Sequence, residues 1–203
     1  MKYLALGDSY TVGEGVAAGE RWPGVLARAV RDEGIDLDEP RVIATTGWTT
    51  DELSAAMDAA EPLGQWDFVT LLIGVNNQYR GRGLEEYRQH FDALLHRAIG
   101  LARSNPGRVL VLSIPDWGVT RFGAESGRDR GAVARELDAF NAAACALCER
   151  HGVAFVDITA ASRDGGGEAA MLADDGLHPS AAMHARWAAL ALPVALQLLT
   201  PQQ

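Results

Sequence analysis

Lys2-Tyr3-Leu4-Ala5-Leu6, followed at once by Gly7-Asp8-Ser9-Tyr10, sets the frame for the rest of the chain. An apolar run this short, cut off by Gly-Asp-Ser, reads as a buried strand with a hydroxyl just past its C-terminal end. The pattern then recurs. Strand-like runs at residues 41–45, 67–73, 108–114 and 153–156 alternate with helical spacing at 22–33, 51–60, 84–103, 132–150 and 179–198. Thr49 or Thr50 is placed to cap the second helix, His151-Gly152 to stop the fourth, and Pro179 to open the fifth.

Five apolar strands separated by helices predict a parallel sheet covered on both faces. Crossover handedness leaves few topologies for such a chain. The expected fold is three-layer α/β/α, with a flavodoxin-like five-stranded parallel sheet of order 2-1-3-4-5. No linker interrupts the pattern, so residues 1–203 are expected to form a single domain.

In open parallel sheets, ligands bind beyond the carboxyl ends of the strands. Gly7-Asp8-Ser9-Tyr10 follows the first strand and Thr46-Gly47-Trp48 the second. Gly74-Val75-Asn76-Asn77 follows the third, Pro115-Asp116-Trp117 the fourth, and a long loop ending Asp175-Gly176-Leu177-His178-Pro179 the fifth. Singly, each has an ordinary structural reading as a turn, cap or packed residue. Together, a hydroxyl, two candidate oxyanion donors and an Asp/His pair fall on one expected rim, and acyl transfer needs that set.

Composition narrows the partners. The chain has 203 residues, 48% hydrophobic and 22% charged, with a net charge of -9. An acidic chain is a poor match for nucleic acid or an anionic membrane, both of which need a basic face. No apolar stretch reaches about 20 residues, and Arg186 and Pro193 break the apolar C-terminal run, so no membrane span is expected. No leader is visible, and the expected location is the cytoplasm. Cys145 and Cys148 lie late in a long helix, away from the N-terminal position that activates thiols, and read as packed helix residues.

The blocks at the strand ends resemble those of the SGNH (GDSL-like) hydrolases. Gly7-Asp8-Ser9-Tyr10 is similar to the first block, Gly47 within Thr46-Gly47-Trp48 to the second, Gly74-Val75-Asn76-Asn77 to the third and Asp175-Gly176-Leu177-His178-Pro179 to the last. They stand in the family's order across residues 7–179. The resemblance implies a serine esterase. Ser9 would be its nucleophile, His178 its base and Asp175 the residue that orients His178. The Ser9 and Gly47 backbone N–H groups and the Asn76 amide would form the oxyanion hole. Two departures stand out: Tyr10 replaces the usual Leu, and Asn77 the usual Asp.

Competing readings are weaker. Gly13-Glu14-Gly15-Val16-Ala17-Ala18 matches a loose dinucleotide pattern but starts well past the strand end, and no P-loop exists, so no cofactor is expected. His90 and His96, like His178 and His184, have a spacing that suits no shared helix face, so no metal is expected. His184 reads as a helix-surface residue. An acyltransferase using the same site, or a ligand-binding protein without turnover, remains an alternative to hydrolysis.

The expected substrate is a small ester with a short acyl or acetyl group, an acylated sugar included, because no long apolar insertion suggests a lid or lipid tunnel. Asp8, Trp48, Asn77, Tyr79 and Trp117 are the candidate substrate-contacting residues, with Phe122 nearby. Arg80, Arg82 and Arg121 could meet an anionic group or be solvated loop residues. The sequence leaves the oligomeric state open.

Overall fold

The computed structural model describes residues 1–200. In chain order the elements are β1 (Tyr3–Gly7), α1 (Ser9–Val12), α2 (Trp22–Asp32), β2 (Arg41–Ala44), α3 (Thr50–Ala59), β3 (Phe68–Leu72), α4 (Val75–Tyr79), α5 (Leu84–Leu101), β4 (Val109–Leu112), α6 (Arg121–Glu125), α7 (Arg130–His151), β5 (Ala154–Val156), α8 (Thr159–Arg163) and α9 (Ala181–Leu199). All five strands are parallel, in the expected order β2-β1-β3-β4-β5. Packing between α2 and α9 covers one face, and α3, α5 and α7 pack in a row over the other.

Burial follows from this layering. Every residue of β1, β3 and β4 is buried, whereas the edge strands β2 and β5 are partly exposed. Strands covered on both faces must be largely apolar, and the one buried hydroxyl in β3, on Thr70, is met by the Tyr3 hydroxyl of β1 at 3.1 Å. Register then positions the chemistry. Gly7 pairs with Ala44 on one side and Leu72 on the other, so β1, β2 and β3 end level. Whatever follows those three ends is delivered to one place.

Helix ends obey local chemistry. The Thr49 backbone N–H donates to Glu52 Oε2 at 2.8 Å at the start of α3, half of a capping box. Gly152, left-handed at φ 69°, ends α7. Cys148 is buried and Cys145 half-buried on that helix, and both are free thiols.

Three expectations need correction. α9 begins at Ala181, with Pro179 instead bridging to Leu172 in an antiparallel pair, and as expected it continues past Pro193. The result is a 19-residue helix that by length and composition is apolar enough to cross a membrane. It packs on α2 and buries Met183, Trp187, Ala188, Ala191 and Ala195. His184 is not a surface residue. It is fully buried, and its Nδ1 accepts the Trp22 backbone N–H at 3.3 Å across the α2–α9 contact. Finally, the short helices α1, α4, α6 and α8 occupy segments read as loops or turns.

Candidate active site

β1 ends at Gly7, and the chain turns at once into α1, whose first residue is Ser9. Asp8 caps this helix, its Oδ1 accepting the Tyr10 N–H at 3.0 Å. The turn leaves the Ser9 N–H at a helix start, where no carbonyl lies one turn earlier to receive it. Ser9 is almost buried, yet it lines a cavity of about 190 Å³.

Beyond β2, Gly47 also lines that cavity. Its φ is +90°, a backbone conformation in which a side chain is strained. Beyond β3, Gly74 at φ +131° starts α4, and a Cβ there would lie 2.6 Å from the Tyr87 ring. α4 carries Asn76 into the same cavity. Its Nδ2 donates to the Trp48 carbonyl at 2.9 Å, fixing the amide against the loop that carries Gly47.

The last contributor is the loop before α9. Leu172 and Pro179 pair antiparallel, and the Ala173 N–H donates to the His178 carbonyl at 2.8 Å, so residues 172–179 form a closed turn. Inside it, Asp175 Oδ1 accepts the backbone N–H groups of Leu177 at 2.8 Å and His178 at 2.9 Å. Asp175 Oδ2 accepts His178 Nδ1–H at 2.6 Å. Both carboxylate oxygens thus serve one histidine. Its side chain is mostly buried, with the ring edge-on to Tyr10 at 6.1 Å, and it lines the Ser9 cavity.

Two carboxyls here differ in kind. Burial alone would raise the Asp175 carboxyl. The hydrogen bonds from the His178 ring and from the Leu177 and His178 backbone together hold it below the ordinary carboxylate value. Asp8 is fully buried, its Oδ2 lacks a partner, and desolvation outweighs the Tyr10 and Gly74 backbone N–H groups to push it up to about 7.

The cavity wall is partly as expected. Tyr79 and Trp117 line it, together with Phe122. These three rings stand 5.3 to 6.4 Å apart, centroid to centroid. Asp8, Trp48 and Asn77 do not line it. Asp8 and Asn77 are buried beneath it, and Trp48 packs against the core. Asn77 ties α4 to α3 instead, its Oδ1 accepting the Thr50 N–H at 3.1 Å and its Nδ2 donating to Thr50 Oγ1 at 2.8 Å. Arg80 bonds the Gly47 carbonyl at 2.6 Å and pairs with Glu52; Arg82 pairs with Asp51 and Glu86; Arg121 bonds the Asp174 carbonyl. None of the three lines the cavity.

Sequence reasoning missed the supports. Gln78 is buried and accepts Trp117 Nε1–H at 2.8 Å, while its own Nε2 donates to Glu136 at 2.6 Å. This holds the aromatic wall to α4 and α7. Thr46, Val75 and Leu177 complete the wall, each beside a residue already singled out by its motif.

The chain matches the model of a family described as the GDSL-like lipase/acylhydrolase family over residues 5–186. No curated protein matches it. Among solved structures it is similar to TesA (22% identity, 98% of this chain and 100% of that chain, TM-score 0.77). It is also similar to a lipase/acylhydrolase from Enterococcus faecalis (20%, 100% and 100%, 0.75). A third is an acetyl xylan esterase from Geobacillus stearothermophilus (21%, 100% and 97%, 0.72). At these identities the structural likeness speaks to the fold.

Proposed function

Because the chain belongs to the GDSL-like lipase/acylhydrolase family and is a serine ester hydrolase, we propose that Ser9, His178 and Asp175 hydrolyse short-chain carboxylic esters through an acyl-enzyme. The observation that carries this reading is the double engagement of Asp175 with His178 in a turn that faces the Ser9 cavity.

The geometry supports the following steps. With Nδ1–H donated to Asp175, His178 presents the Nε2 lone pair as base. It takes the Ser9 proton as Oγ attacks the ester carbonyl. The carbonyl oxygen gains the negative charge, which the N–H groups of Ser9, Gly47 and Asn76 are disposed to receive. Collapse breaks the bond to the alkoxy oxygen, and His178 returns the proton to the leaving alcohol. Water then attacks the acyl-enzyme by the same route and frees Ser9. Asp175 stays anionic throughout and stabilises the imidazolium.

Cavity size supports a short acyl group. About 190 Å³ is small beside the roughly 300–1,000 Å³ of drug-sized ligand sites. The wall of Tyr79, Trp117 and Phe122 suits a methyl or short alkyl group, and also the face of a sugar that bears it. The test is turnover of p-nitrophenyl acetate, butyrate and laurate by wild type and Ser9→Ala, with folding matched by circular dichroism. Rapid cleavage of the short esters by wild type alone supports the reading. Faster laurate than acetate turnover overturns the short-chain assignment, and equal activity of the two proteins overturns Ser9 as nucleophile.

A further inference from the structure

Among the described residues, one cluster of metal-ligating side chains lies outside this site: Asp92 and His96, four residues apart on α5, with His151 from the last turn of α7. One ligand atom from each lies within 4.8 Å of the other two. His151 Nε2 is 2.8 Å from Asp92 Oδ1, and His96 Nδ1 is 3.8 Å from that same oxygen. The sequence hides this arrangement, because the histidines are 55 positions apart and the i,i+4 partner of His96 is an aspartate. We propose that Asp92, His96 and His151 form a surface site for a borderline divalent cation, Zn²⁺ or Ni²⁺, independent of ester cleavage.

The donor chemistry fits. Two imidazoles and one carboxylate suit borderline metals far better than Mg²⁺ or Ca²⁺, which prefer oxygen alone. Three protein ligands leave a fourth position for water, as in open zinc sites. The positions are also braced. α5 and α7 pack along their length, so Asp92 and His151 arrive on rigid elements, and Asp92 lies only 29% exposed. His96 is 59% exposed, and its Nδ1–H is donated to the Asp92 backbone carbonyl at 2.8 Å, so the exposed ring turns or changes tautomer to offer a lone pair.

A resident cation already marks the place. Arg150 Nη2 sits 2.8 Å from Asp92 Oδ1, the same oxygen that His151 Nε2 meets at 2.8 Å. Arg150 is 59% exposed, so its guanidinium can swing into solvent when a metal takes its share of Asp92. The arginine therefore competes with the metal, and removing it should strengthen binding. The cluster lies where α7 ends ahead of β5, on the N-terminal side of that strand, whereas Ser9 lies beyond the C-terminal end of β1, at the other end of the parallel strands. Ester turnover should not depend on it.

Calorimetric titration of the intact protein with ZnCl₂ and NiCl₂, in a buffer that does not chelate, tests this. Wild type should bind one equivalent. His96→Ala and His151→Ala should each weaken binding at least tenfold, and Arg150→Gln should tighten it severalfold. Cys145→Ser should bind as wild type does, which separates this cluster from thiol binding. Absence of binding by wild type overturns the site, as does an affinity unchanged in both histidine variants. Affinity that falls in Arg150→Gln overturns the competition.

Discussion

Asn76 Nδ2 donates to the backbone carbonyl of Trp48 at 2.9 Å, so the amide from the third strand end is pinned to the loop from the second. An amide nitrogen carries two hydrogens. The one spent on Trp48 fixes the plane of the group, and the other is available to the cavity that Asn76 lines. Asn76→Ala should fold and lose about 10²–10³ in kcat with little change in KM, the scale for one oxyanion donor. Normal turnover by the folded variant would remove Asn76 from the oxyanion hole.

Arg80 braces the loop that carries the other proposed donor, Gly47. Its Nη2 bonds the Gly47 carbonyl at 2.6 Å while Nη1 pairs with Glu52 on α3. The ion pair is exposed and adds little to stability, but the bond to the Gly47 carbonyl holds the peptide that follows the Gly47 N–H, and so braces the loop that carries this proposed donor. Arg80→Met should lower kcat roughly tenfold with KM and thermal midpoint near wild type, short of the ~100-fold that a 1 Å misplacement can cost. Arg80→Lys should recover only part, since lysine cannot span both partners as a fork. Equal kcat in all three proteins would make the Gly47 loop self-supporting.

Phe122 is the wall residue most open to change. It is half-buried, whereas Trp117 is buried and bonded to Gln78, so emptying the Trp117 position risks about 3–5 kcal/mol of stability. Phe122→Ala should widen the cavity and raise the ratio of laurate to acetate kcat/KM severalfold. An unchanged ratio would mean that the acyl group lies elsewhere.

Much of this arrangement is legible in the sequence, for identifiable reasons. β1, β3 and β4 are buried on both faces and therefore spell almost wholly apolar runs, broken only at Thr70, and the level ends of β1, β2 and β3 follow from parallel pairing. The side chains next to the motif residues were less legible. Asp8, Trp48 and Asn77 adjoin Ser9, Gly47 and Asn76, yet α1 and α4 are helices of four and five residues that leave no period to read. Neighbours along a helix point about 100° apart, so Asn77 turns to Thr50 while Asn76 faces the cavity. His184 reads as exposed because α9 is alanine-rich on every side, and only its packing on α2 shows which face is inward.

The pH dependence of activity should show one group on the acid limb. Asp175 is held below the ordinary carboxylate value, so it stays ionised across the imidazole range, roughly pH 5 to 8. kcat/KM should fall tenfold per pH unit on the acid side, because the proposed mechanism needs a neutral base to accept the Ser9 proton. Asp8, pushed up to about 7, is the other group near neutrality, but it is buried beneath the cavity and does not line it. Asp8→Asn should leave the acid limb in place. A profile flat over this range would exclude His178 as base, and a limb abolished by Asp8→Asn would assign it to Asp8.

Asp8 and His184 should oppose each other in stability. Burial lowers His184 from 6.5 to about 4, helped by the nearby His178 and Arg21. Between those values the unfolded chain binds a proton that the native protein refuses, so stability rises with pH, by roughly 3 kcal/mol in all. Asp8 is raised from 3.8 to about 7. Between those values the native protein keeps a proton that the unfolded chain releases, so stability falls with pH, by roughly 4 kcal/mol. The two slopes nearly cancel between about pH 4 and 6.5. Asp8→Asn keeps an acceptor for the Tyr10 N–H but no longer titrates, which leaves the His184 slope exposed. Urea midpoints should therefore climb with pH more steeply in Asp8→Asn than in wild type over that window. At pH 8 the variant should be the more stable protein. Parallel curves would mean that Asp8 is ionised in the native state at the carboxylate's ordinary pH, with its Oδ2 charge met by a partner other than the backbone around Tyr10 and Gly74.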